Sequence, residues 1–523
     1  MKCIRPLILQ AFLCIVPLTF LRAQTADKLK IKVRQVTEQG FTEKRVPVQV
    51  IPVSDRTLMT MIAVPGEELV RDHKKSMPRF ELYDRAKVTL LRGQDPVAHV
   101  KAGDLFVDQL VHFRGDAIML AVRRDTVRGV VELYWQKLDP NLTKNHPYFT
   151  LLSTFDTRTF GDGTLVPAGS GYHDRFHTSI SPNGDYLLVY SKGVIDADGD
   201  MHRPMIVVGE HMQEVWKHTL RVEDDAPLAT AQLDNAGVAH LLEQVRVKPE
   251  DKRDTTRFGI KLTRVDEQGR SEPASGLNKG HWIKSAVFRP LADGQILCAG
   301  IHGGLNPKGE PVLGEFTGRI VPGGAGMEGV KQHTFDLDRD DALITRNGVR
   351  LADVQPTSDG GVYLIREYHL QTDAVDAKTS MSGLRWIHGP VVVTRRDPAG
   401  EELWSTTFRR AYYSPDKLAG DVMATTYKDD LLLFLLDSDV MAEKRKRDDK
   451  KLLHTDQKSP YSAYVHFTSD GTFRSKGVLN GSDGTFYLMG DRLYTLTPTD
   501  HIMLSAPKAN GRSTALARIE LGE

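Results

Sequence analysis

Cysteine is scarce in this chain of 523 residues, which contains only three. Cys3 and Cys14 lie in the first 24 residues, so Cys298 is the one thiol in the remainder. A single thiol has no internal partner, which excludes a fold held together by disulfides. Cys298 lies in the apolar run GQILCAG, without the basic neighbours that activate a nucleophilic thiolate. We expect it to be a small core residue.

Long apolar segments are absent after the N-terminus. At the N-terminus, Lys2 and Arg5 precede an apolar run over residues 6–21, and the small residue Ala23 follows. This pattern is typical of a cleaved signal peptide, and the run is short for a membrane anchor. We therefore predict a signal peptide over residues 1–24, export to the periplasm, outer surface or medium, and no membrane span in the mature chain.

Neither sign of charge dominates, because 69 Lys and Arg stand against 68 Asp and Glu. A formal net charge of +1 argues against general attraction to nucleic acid or anionic lipid, and we predict no nucleic-acid partner. A basic run over residues 443–454 is diluted by acidic residues and lacks interleaved aromatic residues, so we predict a solvated loop there. We expect the protein to be a monomer.

The common catalytic signatures are also missing. The sequence has no Gly-x-Ser-x-Gly nucleophile elbow, no His-Glu-x-x-His metal helix and no Walker loop. The segment GGAGMEG matches Gly-x-Gly-x-x-Gly, but the strand-like VKQHTFDL follows it where a dinucleotide-binding motif requires a helix. We interpret the segment as a hairpin turn.

Tight turns, in contrast, recur throughout. The pentapeptide Ser-Asp-Gly-Thr-Phe occurs at Ser469–Phe473 and again at Ser482–Phe486. Ser and Asp can bond their own backbone and Gly supplies positive φ, so the motif favours a turn between strands. Comparable turns lie near residues 55, 115, 184, 236, 293, 359, 429 and 483.

The turns follow one another at intervals of about 50 to 70 residues, each between a β-rich run and a more apolar one. Several units contain a second hairpin, so each unit supplies about four strands. This repetition predicts an all-β fold, a β-propeller of seven or eight four-stranded blades with eight preferred, in one domain over residues 25–523. Two separate β-sandwiches are the alternative.

Ring closure is the further expectation. The segment DKLKIKVRQV, within residues 25–45, alternates as a strand and lacks an obvious partner, and the last unit ends with STALARIEL. We predict that the N-terminal strand completes the terminal blade and so joins the two ends of the chain.

The repeats resemble those of bacterial secreted β-propellers in general. The segments RRDPAGEELW and GEHMQEVWKHTL resemble the outer-strand pattern of quinoprotein-type propellers, in which Asp, a turn Gly and Trp recur. This resemblance implies that Trp404 and Trp216 pack between blades.

One acidic segment could bind a cation. In IDADGDMH, Asp196, Asp198 and Asp200 alternate around Gly199, and alternating carboxylates in a turn can supply several oxygen ligands to Ca²⁺. A solvated acidic loop without a metal is the alternative interpretation.

The connections that follow the second strand of each unit are the long ones, and in a propeller they gather on one rim. Loops on a rigid scaffold often carry function. The candidate binding residues at this rim are Arg124, Arg246, His302, Arg366, Glu367, His369 and Asp437.

These observations favour an exported, non-enzymatic binding or scaffold protein that presents long loops on one rim to a protein or glycan partner. The alternative is an extracytoplasmic glycoside hydrolase or polysaccharide lyase. Hydrolysis would require two carboxylates about 5–9.5 Å apart across a sugar, and Glu367 with Asp437 is the pair that the loop register brings nearest.

Overall fold

The computed structural model describes most of the repeat region and leaves the predicted signal peptide and the second pentapeptide outside the described residues. The described residues are 29–35, 46–63, 78–94, 99–100, 103–125, 127–128, 130–144, 148–156, 176–191, 194–195, 200–222, 228–246, 258–277, 281–291, 293–305, 311–322, 324, 326–335, 348–375, 382–414, 421–446, 460–479, 487–506 and 515–522.

Eight antiparallel sheets, each with four principal strands, form the eight blades. We letter the principal strands of a blade A to D from the centre outward. Blade 1 contains β2 (Val46–Pro52), β3 (Thr57–Ala63), β4 (Arg79–Asp84) and β5 (Thr89–Gln94), and blade 2 contains β8 (Phe106–Phe113), β9 (Asp116–Asp125), β10 (Val130–Lys137) and β11 (Thr150–Asp156). Blade 3 contains β12 (His177–Ile180), β13 (Leu187–Tyr190), β15 (Met201–Val208) and β16 (Glu214–Val222), and blade 4 contains β17 (Leu228–Leu233), β18 (Ala239–Arg246), β19 (Phe258–Asp266) and β20 (Gly269–Ser271).

The second half of the ring repeats this arrangement. Blade 5 contains β21 (Trp282–Pro290), β22 (Ile296–Leu305), β23 (Pro311–Ile320) and β24 (Met327–Thr334), and blade 6 contains β25 (Val349–Pro356), β26 (Val362–Val375), β27 (Ser382–Arg396) and β28 (Glu402–Phe408). Blade 7 contains β30 (Met423–Tyr427), β31 (Asp430–Ser438), β32 (Pro460–Phe467) and β33 (Phe473–Leu479), and blade 8 contains β34 (Tyr487–Thr497), β35 (Asp500–Ala506), β36 (Ala515–Gly522) and β1 (Lys30–Gln35).

The blades close into a ring, because the A strand of blade 8 contacts the A strand of blade 1 as well as that of blade 7. The all-β propeller predicted from the turns is therefore confirmed, with eight blades. Each pair of neighbouring blades shares a cluster of buried apolar side chains. The B strands are covered on both faces, so they read as continuous apolar runs such as LLLFLL in β31, which is buried almost throughout.

The N-terminal strand closes the ring as predicted. It is strand D of blade 8, where β1 pairs antiparallel with β36 from Lys30↔Gly522 to Gln35↔Ala517. Ile31 and Val33 pack against the apolar cluster between blades 7 and 8. The two ends of the chain are therefore tied by backbone hydrogen bonds and by apolar burial.

Seven of the eight predicted turns are the A–B turns of blades 1 to 7. The eighth turn, near residue 483, lies outside the described residues, and it is not the A–B turn of blade 8, which lies at Pro498–Thr499 between β34 and β35. The second pentapeptide precedes β34, so it belongs to the connection from blade 7 to blade 8. The two copies of the pentapeptide lie close together in the sequence, and the second was therefore assigned to the wrong connection.

The first pentapeptide shows what such a turn does. Gly471 has φ +85 and lies against the indole of Trp404 from blade 6. Trp404 donates its Nε1–H to the carbonyl of Ser469 at 2.9 Å, and Trp216 donates likewise to Gly237 of blade 4 at 2.9 Å. The packing of both tryptophans between blades, which the family resemblance implied, is present.

Helical structure is sparse among the described residues: a 3₁₀ turn at Glu210–Met212 and the helix α1, Asp439–Lys446. The helix occupies the start of the basic run that was predicted as a loop. Within the segments that the structure describes, no helix has the length and apolar character needed to cross a bilayer.

Cys298 lies in β22 and is completely buried. Burial raises the pKa of its thiol far above the ordinary value. The prediction of a core residue is confirmed.

Candidate functional site

One face of the ring carries most of the additional structure. The B–C and D–A connections of every blade meet at this face, which we call the loop rim, while the A–B and C–D turns form the opposite turn rim. The short strands β6 (His99–Val100), β7 (Gly103–Asp104), β14 (Val194–Ile195) and β29 (Tyr412–Ser414) all lie in loop-rim connections, as does α1.

All seven candidate rim residues lie on B strands. They are distributed over blades 2, 4, 5, 6 and 7, and the structure does not describe the side chains of Arg124 and Arg246. Of the described ones, His302, Arg366, Glu367 and Asp437 are buried, and the side chain of His369 is 8% exposed. The sequence therefore predicted which strands carry these residues, but it did not predict that their side chains are buried.

Among the described residues, the longest B–C hairpin of the loop rim is that of blade 6, formed by β26 and β27. Strand A pairs with β26 only as far as Tyr368, and strand D pairs with β27 only from Val391 onward. Among the described residues, the hairpin segment Leu370–Val375 pairs only with Ser382–Ile387, so the hairpin extends beyond the body of its blade. The strand β29 pairs with the base of the hairpin as a third strand.

A buried ionic network holds the base of this hairpin, with Glu367 at its centre. Glu367 is fully buried and accepts hydrogen bonds from Arg350, at 2.8 and 3.2 Å, and from Arg410. Arg410 is also buried and donates to the carbonyls of Gly389 at 3.2 Å and Leu436 at 3.3 Å, which link blade 6 to blade 7. The network thus ties the hairpin base to two blades.

Two histidines and a second carboxylate complete the network. His369 and His388 are directly paired across β26 and β27, and their rings lie 4.8 Å apart at an interplanar angle of 61°. The Oδ1 atom of Asp421, which directly precedes blade 7, lies 3.7 Å from His369 Nε2 and 3.5 Å from His388 Nδ1. Arg350 Nη2 lies 2.6 Å from the same oxygen.

The pKa values of the two carboxylates of the network, Glu367 and Asp421, are shifted in opposite directions. Burial alone would raise the pKa of Glu367, but Arg410, His388 and Arg350 hold that pKa below its ordinary value. Burial and the charge on Glu367 raise the pKa of Asp421 to about 7, although Arg350 opposes the shift. Burial also lowers the pKa of His388.

Asp437 lies in a separate environment at the end of β31. It is paired with Arg445 of α1, whose Nη1 lies 3.0 Å from Asp437 Oδ1, and Tyr461 donates to it at 3.3 Å. The guanidinium of Arg445 stacks on Phe408 at 4.2 Å. Glu367 and Asp437 are therefore both buried, and each is bound to an arginine.

Of two other candidates, Arg366 lies at the boundary between blades 5 and 6, and His302 packs within blade 5. Arg366 lies over the ring of Phe335 at 4.6 Å and donates to Thr394 at 2.8 Å, and its Nε lies 3.4 Å from Glu315. His302 stacks on His281 with ring centroids 4.2 Å apart. Burial lowers the pKa of His302 to about 4, so it is neutral at pH 7.

A small polar cavity lies on the A strands of blades 5 to 8, where they face the centre of the ring. Its volume is about 430 Å³, and Arg289, Asp353, Gln355, Thr425 and Tyr494 are among its lining residues. Arg289 pairs with Asp353, so the main opposite charges of this cavity are already matched.

The predicted calcium segment is described only in part. Asp196 and Asp198 lie outside the described residues, whereas Asp200 forms an ion pair with Arg221 at 2.8 Å. The ion pair already neutralises the one carboxylate that the structure describes.

Four residues of the blade 6 network were not predicted from the sequence: Arg350, His388, Arg410 and Asp421. His388 could have been found once the hairpin register was known, since it faces His369 directly. No sequence pattern identifies Arg350, Arg410 or Asp421 as members of the network, because each comes from a different strand or connection.

No family model matches the chain, and no curated protein matches it. Among solved structures, a puromycin hydrolase mutant is 15% identical with a TM-score of 0.36, covering 78% of this chain and 52% of its own. The extracellular domains of Drosophila Semaphorin 1a are 7% identical with a TM-score of 0.35, covering 93% and 87%. The periplasmic gluconolactonase of Pseudomonas aeruginosa is 12% identical with a TM-score of 0.27, covering 64% and 94%. These scores carry no argument about function, and the eight-bladed ring is established by the strand pairings of the chain itself.

Proposed function

We propose that this chain is an exported, non-enzymatic binding protein that engages a protein or glycan partner with its loop rim. The observation that carries the proposal is the blade 6 hairpin, which extends beyond its blade and is held at its base by Glu367, Arg410 and Arg350. A projecting element on a rigid base suits binding, because little conformational entropy is lost when the partner docks.

The placement of the other additions supports the same face. Four short strands and α1 are inserted in loop-rim connections, whereas most described connections of the turn rim are tight. Loops on a rigid scaffold can change without disturbing the core, and binding residues are often found on them.

The test compares the full chain with a variant in which the hairpin is shortened. Residues 371–386 are replaced by Asn-Gly, so that Leu370 and Ile387, which are paired in the native hairpin, flank a two-residue turn. The control variant is Glu401→Gln, a change of an exposed residue on the turn rim. Each protein is applied to a glycan array and is cross-linked to envelope fractions.

We expect a glycan or protein that is retained by the full chain and by the control but lost by the shortened variant. Equal retention by the shortened variant would remove the hairpin from the proposal. Release of products from a retained glycan would show turnover and overturn the non-enzymatic assignment.

A further inference from the structure

The pairing of His369 with His388 opposite Asp421 has the composition of a metal centre. These residues offer two imidazole nitrogens and one carboxylate oxygen, and their ligand atoms all lie within 4.8 Å of one another. Such a set suits Zn²⁺, which binds His nitrogen and Asp oxygen at about 2.0–2.2 Å. We propose that this cluster is a Zn²⁺ site with His369, His388 and Asp421 as its three protein ligands.

The distances agree with this assignment. In a tetrahedral Zn²⁺ site, neighbouring ligand atoms lie about 3.4 Å apart, given metal–ligand bonds of about 2.1 Å. The separations from Asp421 Oδ1 are 3.5 Å to His388 Nδ1 and 3.7 Å to His369 Nε2. Two imidazoles bound at that angle place their ring centroids about 5 Å apart, and those of His369 and His388 lie 4.8 Å apart.

The backbone presents the ligands in advance of any metal. Two histidines at directly opposite positions of an antiparallel pair project from the same face of the hairpin. Asp421 approaches that face from the connection that leads into blade 7. The ligands therefore come from two blades, and a bound ion would join the hairpin to blade 7.

A metal must displace two contacts of the ligand atoms: Arg350 on Asp421, and Glu367 Oε1, which lies 3.2 Å from His388 Nδ1. Arg350 Nη2 lies 2.6 Å from the Asp421 oxygen that faces both histidines, and the two arginines of the network already balance the charges of Glu367 and Asp421. The Arg350 side chain is 29% exposed and also binds Glu367, so it can transfer to that carboxylate alone. We therefore expect Arg350 to compete with Zn²⁺ and to weaken its binding.

This inference goes beyond the proposed binding function and does not depend on it. Three ligands would leave a fourth position open to an oxygen ligand, as in Zn²⁺ centres that contact a small molecule. The probe for the test is Zn²⁺ alone, titrated by calorimetry into the purified full chain after treatment with a chelator. Co²⁺ is titrated in parallel, because its visible absorption reports tetrahedral coordination.

The variants separate the site from adventitious binding. Asp421→Asn and His369→Gln should each lower Zn²⁺ affinity at least tenfold, while Arg350→Gln should raise it several-fold. The matched control is His211→Asn, because His211 is an exposed histidine beside Glu210, far from the cluster in sequence. Circular dichroism establishes that each variant is folded.

A stoichiometry of one Zn²⁺ that is lost in Asp421→Asn and kept in His211→Asn supports the site. Tighter binding by Arg350→Gln supports it independently, since a folding defect would not strengthen binding. The proposal is overturned if the full chain binds no Zn²⁺, if Asp421→Asn binds it equally well, or if Arg350→Gln binds it more weakly.

Discussion

Trp404 and Gly471 meet across the boundary between blades 6 and 7. A Cβ atom on Gly471 would lie 2.8 Å from the indole Cδ2 of Trp404, and the indole N–H bonds Ser469 in the same turn. The first copy of the pentapeptide therefore has a structural role. Gly471 has no side chain, so Trp404 of the preceding blade can pack directly on the turn.

This contact predicts the cost of adding a methyl group to Gly471. Gly471→Ala should be destabilising both through its φ of +85 and through the collision with Trp404. Gly115→Ala is the matched control, because Gly115 has φ +82 and a Cβ atom added there would meet nothing within 4 Å. We expect Gly115→Ala to lose about 1 kcal/mol and Gly471→Ala at least about 1 kcal/mol more, measured by urea unfolding. In a Trp404→Ala background this excess should disappear, and its persistence would contradict the contact.

Ring closure by β1 predicts a sharp boundary for N-terminal truncation. A chain that begins at residue 37 lacks β1 and exposes the outer edge of β36, whereas a chain that begins at residue 29 retains it. Leu29, Ile31 and Val33 are partly buried, so their loss should lower the free energy of unfolding by about 3 kcal/mol or more. Thermal unfolding of the two chains tests this difference. A peptide of residues 29–36 should restore part of the lost stability in trans, and equal melting temperatures would show that closure contributes nothing.

The buried pair of Arg203 and Glu243 predicts a strong asymmetry between single and double variants. The pair joins blades 3 and 4, both side chains are buried, and Thr263 also donates to Glu243. Arg203→Met should cost about 3–5 kcal/mol, because it leaves a buried carboxylate without its countercharge. Adding Glu243→Gln should recover at least about 2 kcal/mol of that loss in chemical denaturation. No recovery would mean that the loss arises from packing and not from charge.

His302 predicts how stability changes in mild acid. Its folded-state pKa of about 4 lies below the ordinary histidine value because of burial and the neighbouring His281, while Glu315 opposes the shift. Between about pH 6.5 and pH 4 the unfolded chain therefore binds a proton that the folded chain does not. The contribution of His302 to the free energy of unfolding, about 3 kcal/mol, is present above pH 6.5. It is lost as the pH falls to 4.

The variant His302→Leu removes this titration. Its free energy of unfolding should fall less between pH 7 and pH 4.5 than that of the native chain, whatever its stability at pH 7. His211→Asn, which changes an exposed histidine, should keep the native slope. Identical slopes for His302→Leu and the native chain would show that His302 is not the responsible group.

Prediction from sequence succeeded where the signal is local. An A–B turn is specified by a few consecutive residues such as Asn183-Gly184, and a buried B strand by an apolar run such as that of β31. Prediction of the A–B turn of blade 8 failed near residue 483. More than one turn-forming sequence lies in this part of the chain, and only strand pairing shows that the A–B turn is at Pro498–Thr499. The candidate rim was predicted from loop length. The sequence could not predict that Glu367 contacts Arg410 and does not face solvent, because Arg410 lies 43 residues away.

The bulges of the inner strands are a second case. The pairing register shifts just before Gln49, Gln109 and Ser285 on their A strands. Gln49 then accepts from the Leu110 amide at 2.5 Å and Ser285 from the Leu351 amide at 2.9 Å, both on the A strand of the next blade. No turn or periodicity in the sequence marks these bulges, because the extra residue is accommodated only when the neighbouring strand is present.

The sequence by itself determined the repeated four-stranded unit, the closure of the ring by β1, and the rim at which the long connections gather. These features follow from periodicity and turn chemistry, which act over a few residues. Only the tertiary structure decided which charged residues meet: Glu367 with Arg410, His369 with His388, and both histidines with Asp421. Such pairs join residues from different strands and blades, and their energies depend on burial, which exists only once the blades have packed.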